Sequence, residues 1–251
     1  MNKYVRFDNG HKVAYGLLEG NKVVLLDGCI FGKWEKTDKQ YDLKDVKLLA
    51  PCEPSNVVGI GINYKEVVNK KGDPMPQEPI IFLKPSTSVI GPNDAIISPK
   101  GIKELNYEAE LVVVIKDKIK DVTIDDAKNH ILGYTCGNDI TAKDFMIKGK
   151  PWTKAKAYDT FMPIGPCIVD GLDGDNLNIK MYHNGKLTQD GDTSDMIFNV
   201  SQIISFVSHI MTLNPGDIIS TGTPPGKGKL VPGDVIEAEV EGIGRLTNTV
   251  I

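Results

Sequence analysis

The sequence predicts a mainly β fold with a few helices, arranged as a mixed β-sandwich or β-roll. Three observations carry this. Twenty-five glycines and fifteen prolines make about 16% of the chain, above the roughly 12% of an average protein, and favour many turns and short strands. Asn-Gly pairs stand between alternating polar and apolar runs, a strong hairpin signal. Strand-like segments also follow one another without regular intervening helices, which disfavours a doubly wound parallel sheet.

Taken in order, residues 3–8, 11–18 and 22–27 read as three short strands broken by Asn9-Gly10 and Gly20-Asn21. A polar stretch from Lys33 to Lys47 follows, and Leu48-Leu49-Ala50-Pro51 opens a new apolar run. Residues 1–50 are thus expected to form a small N-terminal β-hairpin module, and residues 51–251 the main, chemistry-bearing domain. Within the latter, strands are expected at 56–60, 80–83, 108–115, 162–169, 178–183, 217–220 and 234–240. His183-Asn184-Gly185-Lys186 is a hairpin tip, and Pro215-Gly216-Asp217 and Pro232-Gly233-Asp234 are turns that each launch a strand. Two helices are expected. One starts at Thr123, with Asp126 three residues later, and closes at Gly133. The other is capped by Ser201, carries Ile203, Val207, Ile210 and Met211 on one stripe, and stops before Asn214-Pro215.

Composition excludes several partners. With 29 basic and 33 acidic side chains the net charge is −4, and no Lys/Arg cluster marks a nucleic-acid surface. No segment approaches the roughly 18 apolar residues of a membrane helix, and the alternating start lacks the apolar core of a signal peptide. The four cysteines, Cys29, Cys52, Cys136 and Cys167, contain no CxxC pair and read as reduced, mostly buried thiols of a cytoplasmic protein.

Familiar catalytic signatures fail in turn. Gly59-Ile60-Gly61 lacks the third glycine of a dinucleotide site. Gly222-Thr-Pro-Pro-Gly226-Lys227-Gly228 is one residue short of a phosphate loop, and its prolines remove N–H donors. No GxSxG elbow is present. The informative stretch is Asn106-Tyr-Glu108-Ala-Glu110-Leu-Val-Val-Val-Ile115. In a strand, residues i and i+2 share a face, so Glu108 and Glu110 project side by side as the chain enters an apolar run. Two carboxylates entering a core repel one another unless a cation lies between them. Asp139 is a third acidic candidate. Three hard oxygen donors suit Mg²⁺, Mn²⁺ or Ca²⁺, although spacing alone also permits a solvated strand face and a helix cap. Lys156, in Trp152-Thr-Lys-Ala-Lys156, would balance such a site, but read alone it is equally an ordinary surface lysine.

An ordered series of blocks then resembles the fumarylacetoacetate hydrolase family, in the branch similar to 2-hydroxyhepta-2,4-diene-1,7-dioate isomerases and acylpyruvate hydrolases. The blocks are Gly61-Ile-Asn63-Tyr64, Phe82-Leu-Lys84-Pro-Ser-Thr87, Tyr107-Glu108-Ala-Glu110-Leu and Gly137-Asn-Asp139-Ile-Thr-Ala-Lys-Asp144. Trp152-Thr-Lys-Ala-Lys156, Gln189-Asp-Gly-Asp-Thr193-Ser-Asp-Met196 and Ser220-Thr-Gly-Thr223-Pro complete the series. The resemblance spans about residue 51 to the end. It implies the β-rich fold of that family's C-terminal type and a homodimer with one site per subunit. By the same resemblance Glu108, Glu110 and Asp139 hold a divalent metal, usually Mg²⁺, and Lys156 is the active-site lysine. Asn63, Tyr64, Thr160, Gln189 and Thr223 fall in blocks around the substrate. Members cleave, decarboxylate or tautomerise small 2-oxo or 1,3-dicarbonyl acids, reactions that share an enolate.

The chain departs from the family at one place. Members that hydrolyse or decarboxylate often carry a lid block Asn-Tyr-x-x-His-x-x-Glu. Here the block reads Asn63-Tyr64-Lys65-Glu66-Val67-Val68-Asn69-Lys70, with valine in place of the histidine and lysine in place of the glutamate. Glu66 is a substitute base, though on a helix it points about 100° away from the lost histidine. Enolisation needs a metal and one proton carrier, so the expectation leans to an isomerase or tautomerase. The alternatives are a C–C hydrolase or decarboxylase, or a catalytically silent relative that binds a small acid.

Overall fold

The computed structural model describes residues 1–72, 74–147 and 149–251. Strands dominate, as expected. The largest sheet runs in spatial order through Trp34–Asp42, Lys22–Gly28, Val13–Glu19, Lys3–Asp8, Met162–Val169, Ile131–Asn138, Ala109–Ile115, Ile218–Ser220, Val57–Gly61 and Ile80–Lys84. Neighbours on this path are antiparallel except Ile218–Ser220, which runs parallel to Val57–Gly61. The N-terminal strands join the same sheet, with Tyr4 opposite Ile168.

A second sheet, ordered Lys186–Asp192, Asn178–His183, Val235–Val240, Gly244–Val250 and Ala95–Ile96, packs on one face of the first. Its Ile179, Met181, Ala238 and Leu246 share a core with Leu111, Val113, Ile115 and Cys167. On the opposite face Val112, Val114, Met162 and Ile164 build a separate core. Ala109–Ile115 is therefore buried along its whole length. That is why it reads as an unbroken Leu-Val-Val-Val-Ile run instead of an alternating one.

Trp34–Asp42 is an exposed edge strand. Its charges, Glu35, Lys36, Asp38 and Lys39, hide the strand from a hydrophobicity reading and are what an open sheet edge carries to avoid pairing with other chains.

Three α-helices occur among the described residues: α1 (Lys65–Lys71), α2 (Thr153–Lys156) and α3 (Val200–Ile210). The helix expected between Thr123 and Gly133 is not formed. The Thr123 hydroxyl accepts from the Asp126 N–H at 3.3 Å, but the turn yields only a 3-10 segment, Ala127–His130, before the strand Ile131–Asn138 begins. Gly133 lies inside that strand, where a side chain would collide with the Val169 carbonyl. Close approach between neighbouring strands, not helix capping, explains this glycine. For α3 the cap is Asn199, not Ser201. Its side chain accepts from Gln202 N, and the Gln202 side chain accepts from Asn199 N, both at 2.9 Å, a reciprocal capping box. Its buried stripe holds Ile203, Ile204 and Val207, while Ile210 is exposed. All four cysteines are free, and all but Cys29 are buried. No helix of the described residues is long and apolar enough to cross a membrane.

Candidate active site

Antiparallel pairing builds the acidic centre. Glu108 and Glu110 flank Ala109, which lies opposite Asn138 on the neighbouring strand. Asp139 follows directly, and its N–H donates to the Glu108 carbonyl at 2.9 Å. Each of the three carboxylates offers one oxygen within 4.8 Å of the others, and all three residues are buried.

Three lysines close on them. Lys84, from the end of Ile80–Lys84, donates to Asp139 Oδ1 and, at 2.8 Å, to the Phe161 carbonyl. Lys156, the last residue of α2, donates to Asp139 Oδ2 and, at 2.9 Å, to Glu108 Oε2. Lys227 donates to Glu108 Oε1 at 2.8 Å. Glu110 differs. Its Oε2 accepts from Ser220 Oγ at 2.5 Å and Gly222 N at 2.8 Å, with no lysine among its hydrogen-bond donors in the described residues.

The electrostatics follow from these partners. Burial, then repulsion from Asp139 and Glu108, pushes the Glu110 carboxyl up to about 8. Burial pushes Glu108 the same way, but the Lys156 and Lys227 ammoniums win and hold it down at about 2. Burial works against the charge on Lys156, yet Asp139 and Glu108 outweigh it and hold the ammonium above its ordinary value. In Lys84 burial dominates and lowers the value. A buried trio of hard oxygen donors, one of them kept from ionising by the other two, fits a divalent cation, which would remove the repulsion at Glu110.

Above this centre lies a cavity of about 280 Å³, with Ile60, Phe82 and Trp152 among its apolar walls. Its entrance is bounded by α1, which Gly72 closes in the left-handed conformation (φ 68°). No side chain at Tyr64 caps the helix start; instead Glu66 N donates to Asp195 Oδ2 at 3.1 Å. Ile62, two residues before, is a β-branched residue held at φ 53°, a costly backbone state that the surrounding structure must impose. Val67 and Lys70 line the cavity. Glu66 is not among the lining residues; it is exposed and pairs with Lys70 at 2.5 Å.

Of the other sequence candidates, Thr223 lines the cavity, and its hydroxyl donates to the Ala109 carbonyl at 2.8 Å. Gln189 lies behind it. Its Oε1 accepts from Ala109 N at 3.0 Å, while Nε2 donates to Thr223 Oγ1 at 2.9 Å and the Pro224 carbonyl at 2.7 Å. Asn63 staples the approach to α1, donating to the Thr221 carbonyl at 2.8 Å and accepting from Phe198 N at 2.9 Å. Tyr64 is buried, and its hydroxyl finds no partner among the described residues. Thr160 sits at φ 68° and accepts from Ile97 N at 2.9 Å, away from the cavity lining. Sequence reasoning missed the roles of Lys84 and Lys227. The first stands in a block quoted for its resemblance but given no function. The second stands in a loop examined only as a phosphate cradle, and no local pattern ties it to Glu108.

Comparison with known proteins is consistent with this geometry. The family model described as Fumarylacetoacetate (FAA) hydrolase C-terminal matches residues 56–251, and one described as Rv2993c-like, N-terminal, matches residues 2–51. The structure of 2-hydroxyhepta-2,4-diene-1,7-dioate isomerase from Mycobacterium marinum superposes with a TM-score of 0.93 at 39% identity, covering 100% of this chain and 98% of that one. That of 5-carboxymethyl-2-hydroxymuconate delta-isomerase from Mycobacterium smegmatis gives 0.93 at 39% identity, with 99% of each chain covered. Human oxaloacetate tautomerase FAHD2A, mitochondrial, is 39% identical over 82% of this chain and 70% of its own length. A carboxylate trio on the buried strands of a β-rich fold, matched by the family model over most of the chain, makes this protein a member of the fumarylacetoacetate hydrolase family.

Proposed function

We propose that this protein is a divalent-metal-dependent isomerase or tautomerase of small 2-oxo acids. One observation carries the reading: the cavity joins the Glu108, Glu110 and Asp139 trio and Lys156 to a lid helix that presents Val67 and Lys70. The trio would hold the cation, which when bound supplies Lewis-acid stabilisation of charge developing on an enolate oxygen. Lys156, kept charged by Glu108 and Asp139, is a proton donor toward that oxygen and a poor base toward carbon. Phe82, Trp152 and Ile60 keep the reacting face apolar and limit water. Val67 offers no group to activate a water molecule, so a step that consumes water has no base on the lid.

The names of the isomerase and tautomerase relatives support the same direction. The test is the enol–keto interconversion of oxaloacetate, followed by enol absorbance with chelator-treated and Mg²⁺-reloaded protein. Acceleration confined to the reloaded protein is expected. Cleavage of an acylpyruvate by the same preparation, without enol–keto acceleration, would overturn the reading in favour of a hydrolase.

A further inference from the structure

Lys227 is the one member of the lysine trio that reaches solvent. Its side chain is 36% exposed, whereas those of Lys84 and Lys156 are at 0% and 3%. Its backbone is fixed from several sides. Gly222 N is held by Glu110, Thr223 by Ala109, and Pro224 by Gln189. The Gly228 carbonyl accepts from Tyr107 N at 3.1 Å. The loop therefore presents one long, mobile ammonium from a fixed base to the cavity that it lines.

Charge counting gives this ammonium a second use. Glu108, Glu110 and Asp139 carry three negative charges when ionised, and Lys84, Lys156 and Lys227 carry three positive ones. The centre is balanced without a cation. With a divalent cation it holds a surplus of two, and the enolate of a 2-oxo acid, with its carboxylate, carries two negative charges. Glu108 cannot serve a cation and keep two lysines at full strength. Lys84 and Lys156 are enclosed, so Lys227 is the lysine free to change partners.

We propose that Lys227 is the residue that binds the substrate carboxylate, exchanging Glu108 Oε1 in the unliganded protein for the carboxylate of the bound acid. The inference rests on the reading of the site as one for small 2-oxo acids and names the group that recognises their anionic end.

The test uses calorimetry and does not depend on turnover. Mg²⁺ is titrated alone into wild type, Lys227→Met and Lys227→Arg, and oxalate is then titrated into each Mg²⁺-loaded protein, with thermal melts confirming folding. Loss of a charge-assisted hydrogen bond should weaken oxalate about 10- to 100-fold in Lys227→Met, with Lys227→Arg within about threefold of wild type. Mg²⁺ affinity in Lys227→Met should be equal to or tighter than that of wild type, since a competitor for Glu108 has gone. Unchanged oxalate affinity in Lys227→Met would overturn the proposal. So would a parallel loss of Mg²⁺ affinity, which would make Lys227 a prop for Glu108. Failure of wild type to turn over any 2-oxo acid would instead sink the functional reading and leave the oxalate result standing.

Discussion

Lys84 and Asp139 form an ion pair closed off from water, with side-chain exposures of 0% and 2%. The same lysine also donates to the Ile140 and Phe161 carbonyls, so it ties the strand that ends at Asn138 to the turn before Met162–Val169. Removing one partner of a buried pair leaves an uncompensated charge, which costs about 3–5 kcal/mol. Lys84→Met should therefore lower the urea midpoint by that order in chelator-treated protein. Added Mg²⁺ should recover part of the loss, because a cation near Asp139 replaces the missing charge. A midpoint unchanged from wild type would show that Lys156 alone satisfies Asp139.

Glu110 sets a pH dependence. Its value in the folded, metal-free protein, about 8, lies above the roughly 4.3 of an unfolded glutamate. A raised value means that its contribution to stability is fully present below the unfolded value and is lost as the pH rises through the folded one. Chelator-treated protein should weaken between about pH 5 and pH 8, by an amount on the order of a few kcal/mol. Glu110→Gln should flatten the profile. Glu108, held down at about 2, acts in the opposite sense, but only as the pH falls below the ordinary carboxylate range. Urea midpoints across the window separate the two.

The lid predicts the balance of reactions. Glu66→Gln should leave enol–keto interconversion within about twofold of wild type, since this residue lies outside the cavity lining and a positioned acid or base would contribute roughly 10²- to 10⁴-fold. The double change Val67→His with Lys70→Glu should raise cleavage or decarboxylation relative to tautomerisation. Both rates are measured on one substrate at saturating Mg²⁺. A large fall in either rate in Glu66→Gln would make Glu66 the replacement for the missing pair.

Gln189→Leu should act at a distance. The amide joins the Glu108–Glu110 strand to the loop of Thr223 and Pro224 through three hydrogen bonds. Its loss frees that loop and leaves the Ala109 N–H unpaired, at about 1–3 kcal/mol. We expect KM to rise about tenfold or more with a smaller change in kcat, the pattern of lost positioning. A fall in kcat alone would place Gln189 in contact with the reacting atoms.

Much of this was legible in the sequence, and the misses share causes. Strands whose period or apolar run reports burial, such as Met162–Val169 and Asn178–His183, were read with the observed bounds. Trp34–Asp42 was missed because an edge strand needs charge more than apolar alternation. The turn at Thr123 formed, but the run after it was claimed by the sheet: Gly133 pairs with Val114 across the strands, a contact far away in sequence. The carboxylates were visible because i, i+2 spacing is local. Lys227 reaches Glu108 across 119 residues of chain, and Gln189 reaches Ala109 across 80. Such contacts exist only once the sheets are assembled.

The seven-residue strand Ala109–Ile115, enclosed on both faces and paired along both edges, also sets when each part of the site comes apart. Amides in such a strand exchange with solvent only through global unfolding, whereas a seven-residue helix at the surface such as α1 exchanges through local opening. The entrance can thus open many times for each disruption of the carboxylates beneath it. Heat inactivation should track collapse of the whole domain, and a partially loosened protein should admit and release small acids while its charged centre stays assembled.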